Sequence, residues 1–261
     1  MIFNSFKKNF LSKRLRFVLV SSVLTLGLIL LSNPSIKSQW IYLFAFLSTV
    51  LADTVLGGAV GIECFGFLTL PLSLALGAGF SQYFFPNFTT VFRVAGWISF
   101  FLAYYATLLA TNVFKVARIK GQTIPLVRAA RPAFLLLNFV VVFLLLTALH
   151  KASIGVGWET LAVFLVGFFT SLSFLWCLSL TDFFLPSHLW GAFLVGIGLA
   201  QVSIAFAFYP WKSFLRSLAE AAFFYALLGV ARTYFEKHLK YSIVIEYIAT
   251  VLAILLLIGF F

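Results

Sequence analysis

Long apolar runs separated by short polar connections dominate this chain. The runs are about 15–25 residues long, which is the length that an α-helix needs to cross a hydrocarbon core of roughly 30 Å. Inside lipid every backbone N–H and C=O group needs an internal partner, so such runs predict helices rather than loops. The pattern predicts an all-α polytopic transmembrane bundle with about nine spans, at residues 17–31, 40–60, 63–85, 94–113, 133–149, 160–180, 187–209, 214–231 and 242–261.

Composition and charge support a membrane protein. Of the 261 residues, 63% are hydrophobic and 10% are charged, whereas a soluble domain has about 45–50% apolar and about 25% charged residues. A net charge of +11 would suggest nucleic-acid binding in a soluble protein, but basic residues beside membrane spans set their orientation. With the N-terminus inside, most Lys and Arg residues fall in cytoplasmic segments and the C-terminus lies outside. We expect a multi-pass protein of a bacterial cytoplasmic (inner) membrane without a nucleic-acid partner.

Two stretches, residues 63–82 and 182–201, resemble each other at an offset of 119 residues. Each begins with an acidic residue, and they share the pairs Phe65/Phe184, Leu70/Leu189, Gly77/Gly196, Gly79/Gly198 and Gln82/Gln201. Weaker matches, such as Ser35/Ser153 and Arg93/Arg216, flank them in the same order. The matches predict a duplicated four-helix unit followed by a ninth helix. Because four is an even number, both copies have the same orientation, so the repeats are parallel and related by an axis along the membrane normal.

The predicted duplication divides the chain into five segments. They are a basic cytoplasmic tail (1–16), a first four-helix repeat (17–114), a basic cytoplasmic loop (115–131), a second four-helix repeat (132–231), and a cytoplasmic connection with the ninth span (232–261).

Three carboxylates are candidates for an intramembrane or vestibule site, because charged groups within spans are costly and often functional. Asp53 falls inside the second predicted span; the alternative is a structural carboxylate bonded to Ser48, Thr49 or a neighbouring helix. Glu63 and Asp182 begin the two repeated stretches at cytoplasmic ends of spans, where a charge costs little. If the repeated helix faces met on the repeat axis, these two carboxylates would line a narrow cytoplasmic vestibule.

The remaining polar residues give weaker signals. Arg216 and Glu220, like Arg232 and Glu236, are spaced for salt bridges along a helix. His150 and His188 fall on opposite sides of the membrane, so they cannot form a pair. The chain has no His-Glu-x-x-His, Gly-x-Ser-x-Gly, Walker or Cys-x-x-Cys motif. We therefore predict no catalytic residue, no metal site and no cofactor.

The basic segment contains five candidate contacts for anionic lipid headgroups, each worth about 1 kcal/mol near a charged membrane; an orientation signal explains the same residues. They are Lys115, Arg118, Lys120, Arg128 and Arg131.

Residues 111–117 (Thr-Asn-Val-Phe-Lys-Val-Ala) and 124–130 (Ile-Pro-Leu-Val-Arg-Ala-Ala) resemble an uncharacterised family of bacterial multi-pass membrane proteins, a domain of unknown function met in candidate-phylum genomes. This resemblance covers about 20 of the 261 residues. It implies no activity and no functional residue.

Three functions stay open at this point. The scattered polar residues favour a non-catalytic scaffold or assembly subunit, which would bind a membrane-protein partner or a second copy of the chain. A small permease with a path at the repeat interface is the alternative. A membrane-embedded lipid-modifying enzyme is the third. In each case we expect anionic headgroups of the bilayer to contact the cytoplasmic side.

Overall fold

The structure is a computed structural model that describes residues 12–33, 37–85, 89–120, 125–237 and 240–259. These residues form nine α-helices, each long and apolar enough to cross a membrane. The helices are α1 (Lys13–Leu31), α2 (Gln39–Leu56), α3 (Ile62–Phe84), α4 (Thr90–Lys120), α5 (Pro125–Ala152), α6 (Val156–Ser179), α7 (Pro186–Ala207), α8 (Ser213–Phe235) and α9 (Tyr241–Gly259). The predicted all-α, nine-span architecture is confirmed within the described residues. Most of the basic tail lies outside them.

Helix ends differ most from the prediction around the basic segment. Helix α4 continues to Lys120 and α5 begins at Pro125, so residues 115–120 and 125–131 are helical rather than a loop. At 1.5 Å per residue the 31 residues of α4 extend about 46 Å, which is longer than a hydrocarbon core of roughly 30 Å. Amphipathic Lys and Arg side chains allow such a helix to continue beyond the apolar layer, since their charged ends stay in water.

Helix α2 ends at Leu56, four residues before the predicted end. Gly57, Gly58 and Gly61 follow it with φ of 90°, 76° and 61°, a left-handed region that L side chains rarely adopt. A Cβ atom on any of the three would meet no neighbour within 4 Å. The glycines therefore end the helix.

The helices pack in two sets with the same neighbour relations. In the first unit (α1–α4), α1 packs on α4 and α2 on α3; in the second unit (α5–α8), α5 packs on α8 and α6 on α7. This pattern agrees with a parallel repeat, while the duplication itself stays a prediction. Helix α9 lies outside both sets and packs chiefly on α8.

The boundary between the two units is densely packed. Helix α3 of the first unit contacts α5 and α6, and α4 contacts α5. A Cβ atom added to Gly66 would come within 1.9 Å of the Trp176 ring, and one added to Gly77 within 2.9 Å of Leu144 Cβ. Ser173 Oγ donates a hydrogen bond to Gly66 O at 2.9 Å across the boundary. Small residues here let two helices approach closely, as membrane helix pairs commonly do.

Candidate functional site: a buried ion cluster in the second unit

Four charged or titratable side chains meet at the predicted outer end of the second unit. We refer to His150, Glu159, Arg216 and Glu220 as the ion cluster. His150 Nδ1 lies 2.7 Å from Glu159 Oε1, and His150 Nε2 lies 2.8 Å from Glu220 Oε2. The side chain of Glu220 is 0% exposed and that of His150 is 2% exposed. The imidazole thus bridges two carboxylates in a site nearly closed to solvent.

Arg216 completes the cluster by pairing with both carboxylates. Its Nη2 lies 2.7 Å from Glu159 Oε1, and its Nε lies 2.9 Å from Glu220 Oε1. Arg216 Nη2 also donates to Ser203 O and Ser203 Oγ, both at 3.0 Å. The cluster therefore joins α5, α6, α7 and α8. The spacing of Arg216 and Glu220 predicted their salt bridge, which is confirmed.

Helix termini favour the charges at two of these positions. His150 lies in the last turn of α5, where exposed carbonyl groups favour a cation, and Glu159 lies in the first turn of α6, where free N–H groups favour an anion. The short connection between Ala152 and Val156 brings these two turns together. The short α5–α6 connection thus places the imidazole beside the Glu159 carboxylate.

The bonding pattern defines the proton content of the cluster. An ionised carboxylate only accepts hydrogen bonds, and a neutral imidazole has a single N–H group. Because both imidazole nitrogens face carboxylate oxygens, the cluster needs one more proton, either on His150 or on a glutamate. With that proton the cluster is neutral: either two positive and two negative charges balance, or Arg216 balances a single ionised glutamate. A buried group of charges is tolerated only when it is paired and hydrogen-bonded in this way.

The corresponding end of the first unit holds a neutral network of Ser32, Gln82 and Trp97. Ser32 Oγ donates to Gln82 Oε1 at 3.0 Å and accepts from Trp97 Nε1 at 3.3 Å. At the offsets of the predicted duplication, Ser32 corresponds to His150 and Trp97 to Glu220. The two units thus have polar contacts at matching places with different chemistry.

Glu63 and Asp182, the predicted vestibule carboxylates, are brought together at the opposite end of the molecule. Arg118 Nε lies 3.2 Å from Glu63 Oε1, and Arg118 Nη2 lies 3.2 Å from Asp182 Oδ1. The aromatic rings of Phe65 and Phe184 are also in contact, with centroids 5.4 Å apart. Both acidic residues therefore share one guanidinium, although Asp182 is 92% exposed and lies in the connection before α7.

The helix faces behind these carboxylates do not meet. Gly77 of α3 faces Leu144 of α5, whereas Gly196 of α7 faces Phe164 of α6. Leu70 is buried, while its repeat counterpart Leu189 is exposed. The meeting of Glu63 and Asp182 is thus confined to the helix ends, and their role in a vestibule stays a prediction.

Asp53 lies in the last turn of α2 rather than well inside the predicted span of residues 40–60, because the helix ends at Leu56. Its Oδ1 accepts a hydrogen bond from Ala59 N at 2.6 Å. Ser48 and Thr49, the expected partners, both donate to Ala45 O instead. The carboxylate of Asp53 thus holds the glycine-rich turn that follows its own helix.

Three of the five candidate lipid contacts have partners within the protein. Lys115 is buried and donates to Gly58 O, Arg118 joins Glu63 and Asp182, and Arg131 Nη1 lies 3.1 Å from Glu236 Oε1. Lys120 and Arg128 are exposed. Lipid binding by the basic segment stays a prediction.

Sequence reasoning missed the ion cluster because its four members lie in three separated parts of the chain. The one local signal was the spacing of Arg216 and Glu220. Their match to Arg93 and Trp97 in the first copy adds a second signal, since Glu220 replaces an aromatic residue at a repeat position. In the described part of the chain, no group of His, Cys, Asp or Glu is arranged to hold a metal ion.

In the described part of the chain, nine helices are long and apolar enough to cross a membrane, which defines a multi-pass membrane protein. Residues 59–261 match a family model described as a protein of unknown function, DUF5656. Because this match covers most of the chain, the protein belongs to that family. The predicted membership of an uncharacterised family is confirmed. No curated protein and no solved structure shows a significant match to the chain.

Proposed function

We propose that this protein is a non-catalytic scaffold or assembly subunit of the bacterial cytoplasmic (inner) membrane. The packed boundary between the two helical units supports this function. Gly66 lies against Trp176 and Gly77 against Leu144, which leaves no room for a solute between the units at these positions. The Glu63–Arg118–Asp182 contacts use charged groups that a path there would need. We therefore expect a partner to bind the lipid-facing surface of the bundle.

Photo-crosslinking in native membranes tests the scaffold role. A photoreactive residue is placed at Phe46 of α2, Leu165 of α6 or Leu256 of α9, which all point out of the bundle. We expect one discrete crosslinked product, with a membrane protein or a second copy, from at least one of these faces. The buried Phe67 position is the control and should give none. Only lipid adducts from all three faces would contradict the proposal.

The membrane orientation is tested separately. The placement of most Lys and Arg residues on one side supports an N-terminus inside and a C-terminus outside. A phosphatase reporter fused after Phe261 should be active, and a fluorescent protein that folds only in the cytoplasm should be dark at the same point. The reverse result would overturn the orientation.

A small permease that handles protons is the second candidate, and the ion cluster is the observation that favours it. Buried ionisable groups inside a membrane protein often form proton relays. In proteoliposomes with an internal pH-sensitive dye, this function predicts proton flux that Glu220→Gln abolishes and Gln82→Leu does not change. Flux indistinguishable from that of empty liposomes would exclude this role and leave the scaffold proposal.

A further inference from the structure

An apolar groove lies on the side of the bundle between α7, α8 and α9. It encloses about 810 Å³ and is lined by residues such as Trp190, Leu194, Leu227, Tyr247 and Leu255. No charged side chain belongs to its lining. Helix α9 packs chiefly on α8 and does not close against α7, so the groove opens sideways toward the bilayer.

The length of the groove corresponds to one leaflet of a membrane. Along α8 its lining extends from Phe235, at the predicted cytoplasmic end, to Phe223. These twelve residue steps span about 18 Å at 1.5 Å per residue, and half of a hydrocarbon core of roughly 30 Å is about 15 Å. With Phe235 at headgroup level, as the predicted topology has it, the groove ends near the midplane.

Its length and volume favour an acyl chain over a helix. A transmembrane helix about 30 Å long spans both leaflets, whereas the groove covers only one. The groove volume of about 810 Å³ lies within the range of roughly 300–1,000 Å³ that small-molecule sites occupy. A single acyl chain fits both the length of one leaflet and a volume of this size.

The mouth of the groove carries positive charge. Arg232 and Arg131 share the single carboxylate of Glu236, at 3.2 Å and 3.1 Å. Lys237 and Lys240 are exposed in the connection between α8 and α9. Glu246 of α9, beside the groove-lining Tyr247, is a second acidic side chain here. Four basic and two acidic side chains leave a net positive charge that favours an anionic headgroup.

We infer that this groove is a binding site for one anionic phospholipid of the predicted cytoplasmic leaflet. One acyl chain lies along α8 between α7 and α9. The headgroup phosphate lies beside Lys237, Lys240 and the Arg232 guanidinium. The site differs from the predicted lipid contacts of the basic segment, since only Arg131 belongs to both. It does not depend on the proposed scaffold role.

Native mass spectrometry of the full chain in detergent micelles tests this site. The probes are phosphatidylglycerol and phosphatidylcholine with identical dioleoyl chains, so that only the headgroup differs. We expect one tightly bound lipid, with phosphatidylglycerol preferred about fivefold or more. Equal retention of both lipids by the wild-type protein would overturn the anionic specificity. Retention of neither lipid would overturn the site.

Two pairs of variants locate the lipid. Ala226→Trp fills the groove, and its control Ala249→Trp adds the same ring to an exposed position of α9 that does not line it. The first change should lower lipid occupancy about tenfold by removing the apolar contacts of the chain. The second should leave occupancy unchanged. Equal occupancy in both variants, or loss of lipid together with formation of a dimer only in Ala249→Trp, would overturn the assignment.

Two double variants that each remove two basic charges test the headgroup contact even if Ala226→Trp does not fold. Lys237→Gln with Lys240→Gln should reduce the preference for phosphatidylglycerol toward parity. Lys120→Gln with Arg128→Gln removes two exposed charges from the same predicted side and should preserve it. If only the second pair abolishes the preference, the basic segment binds the headgroup and the groove proposal is wrong.

Discussion

Polar side chains connect the helix ends at the predicted outer end of both helical units, but the chemistry of these contacts differs. In the first unit, Ser32, Gln82 and Trp97 form a neutral network. In the second, His150, Glu159, Arg216 and Glu220 form a buried ion cluster. Both sets tie together the ends of helices that pack in the same pattern. A neutral network can lose one member at modest cost, whereas an ion cluster that loses one charge leaves another uncompensated.

Removal of Arg216 should have the largest effect on stability. Arg216→Met would leave two buried carboxylates with only His150 as partner, and we expect the free energy of unfolding to fall by about 3–5 kcal/mol. Denaturant unfolding in detergent micelles measures it. Lys212→Met, at an exposed position near the same helix end, should change it by less than about 0.5 kcal/mol. Similar values for the two variants would show that the cluster is not a stabilising unit.

The charge balance of the cluster predicts a coupling between His150 and Glu159. With both glutamates ionised, His150→Gln leaves one excess negative charge, and Glu159→Gln removes it again. The double variant should therefore be more stable than the sum of the two single losses indicates, by about 1–2 kcal/mol. A double-mutant cycle on unfolding free energies checks this expectation. Additive losses would contradict a direct energetic coupling between His150 and Glu159.

Substitution in the neutral network should lower the free energy of unfolding least. Gln82→Leu removes one hydrogen-bond acceptor for Ser32, and interhelical hydrogen bonds of this kind average about 0.6 kcal/mol. The same unfolding assay should show a loss below about 1 kcal/mol. Gln201→Leu changes the exposed repeat counterpart and should have almost no effect. A loss at Gln82 as large as that at Arg216 would remove the contrast between the two units.

Much of the fold could be predicted because it depends on local length and hydropathy. Helix α7, predicted at 187–209 and observed from Pro186 to Ala207, shows how closely an apolar run defines a span. The end of α2 was less predictable, because the residues after Leu56 are small and apolar enough to continue a helix on composition alone. The conformations of Gly57, Gly58 and Gly61 decide that end.

The candidate site could be predicted only in part. The spacing of Arg216 and Glu220 was sufficient for their contact, since residues four apart meet on one helix face. The contact of His150 with Glu220 spans 70 positions and depends on how α5 packs on α8. Similarly, the repeated stretches predicted that Glu63 and Asp182 are equivalent, but not that Arg118 would join them.

By itself, the sequence determined that this protein crosses a membrane about nine times, because a hydrocarbon core selects for long apolar helices whatever their neighbours are. It also supplied the internal resemblance and the excess of basic residues. Only the tertiary structure decided which polar groups share a site, which boundary is packed, and where a groove opens to the bilayer. Those features depend on contacts between helices far apart in the chain, and apolar periodicity is nearly the same for every helix that faces lipid.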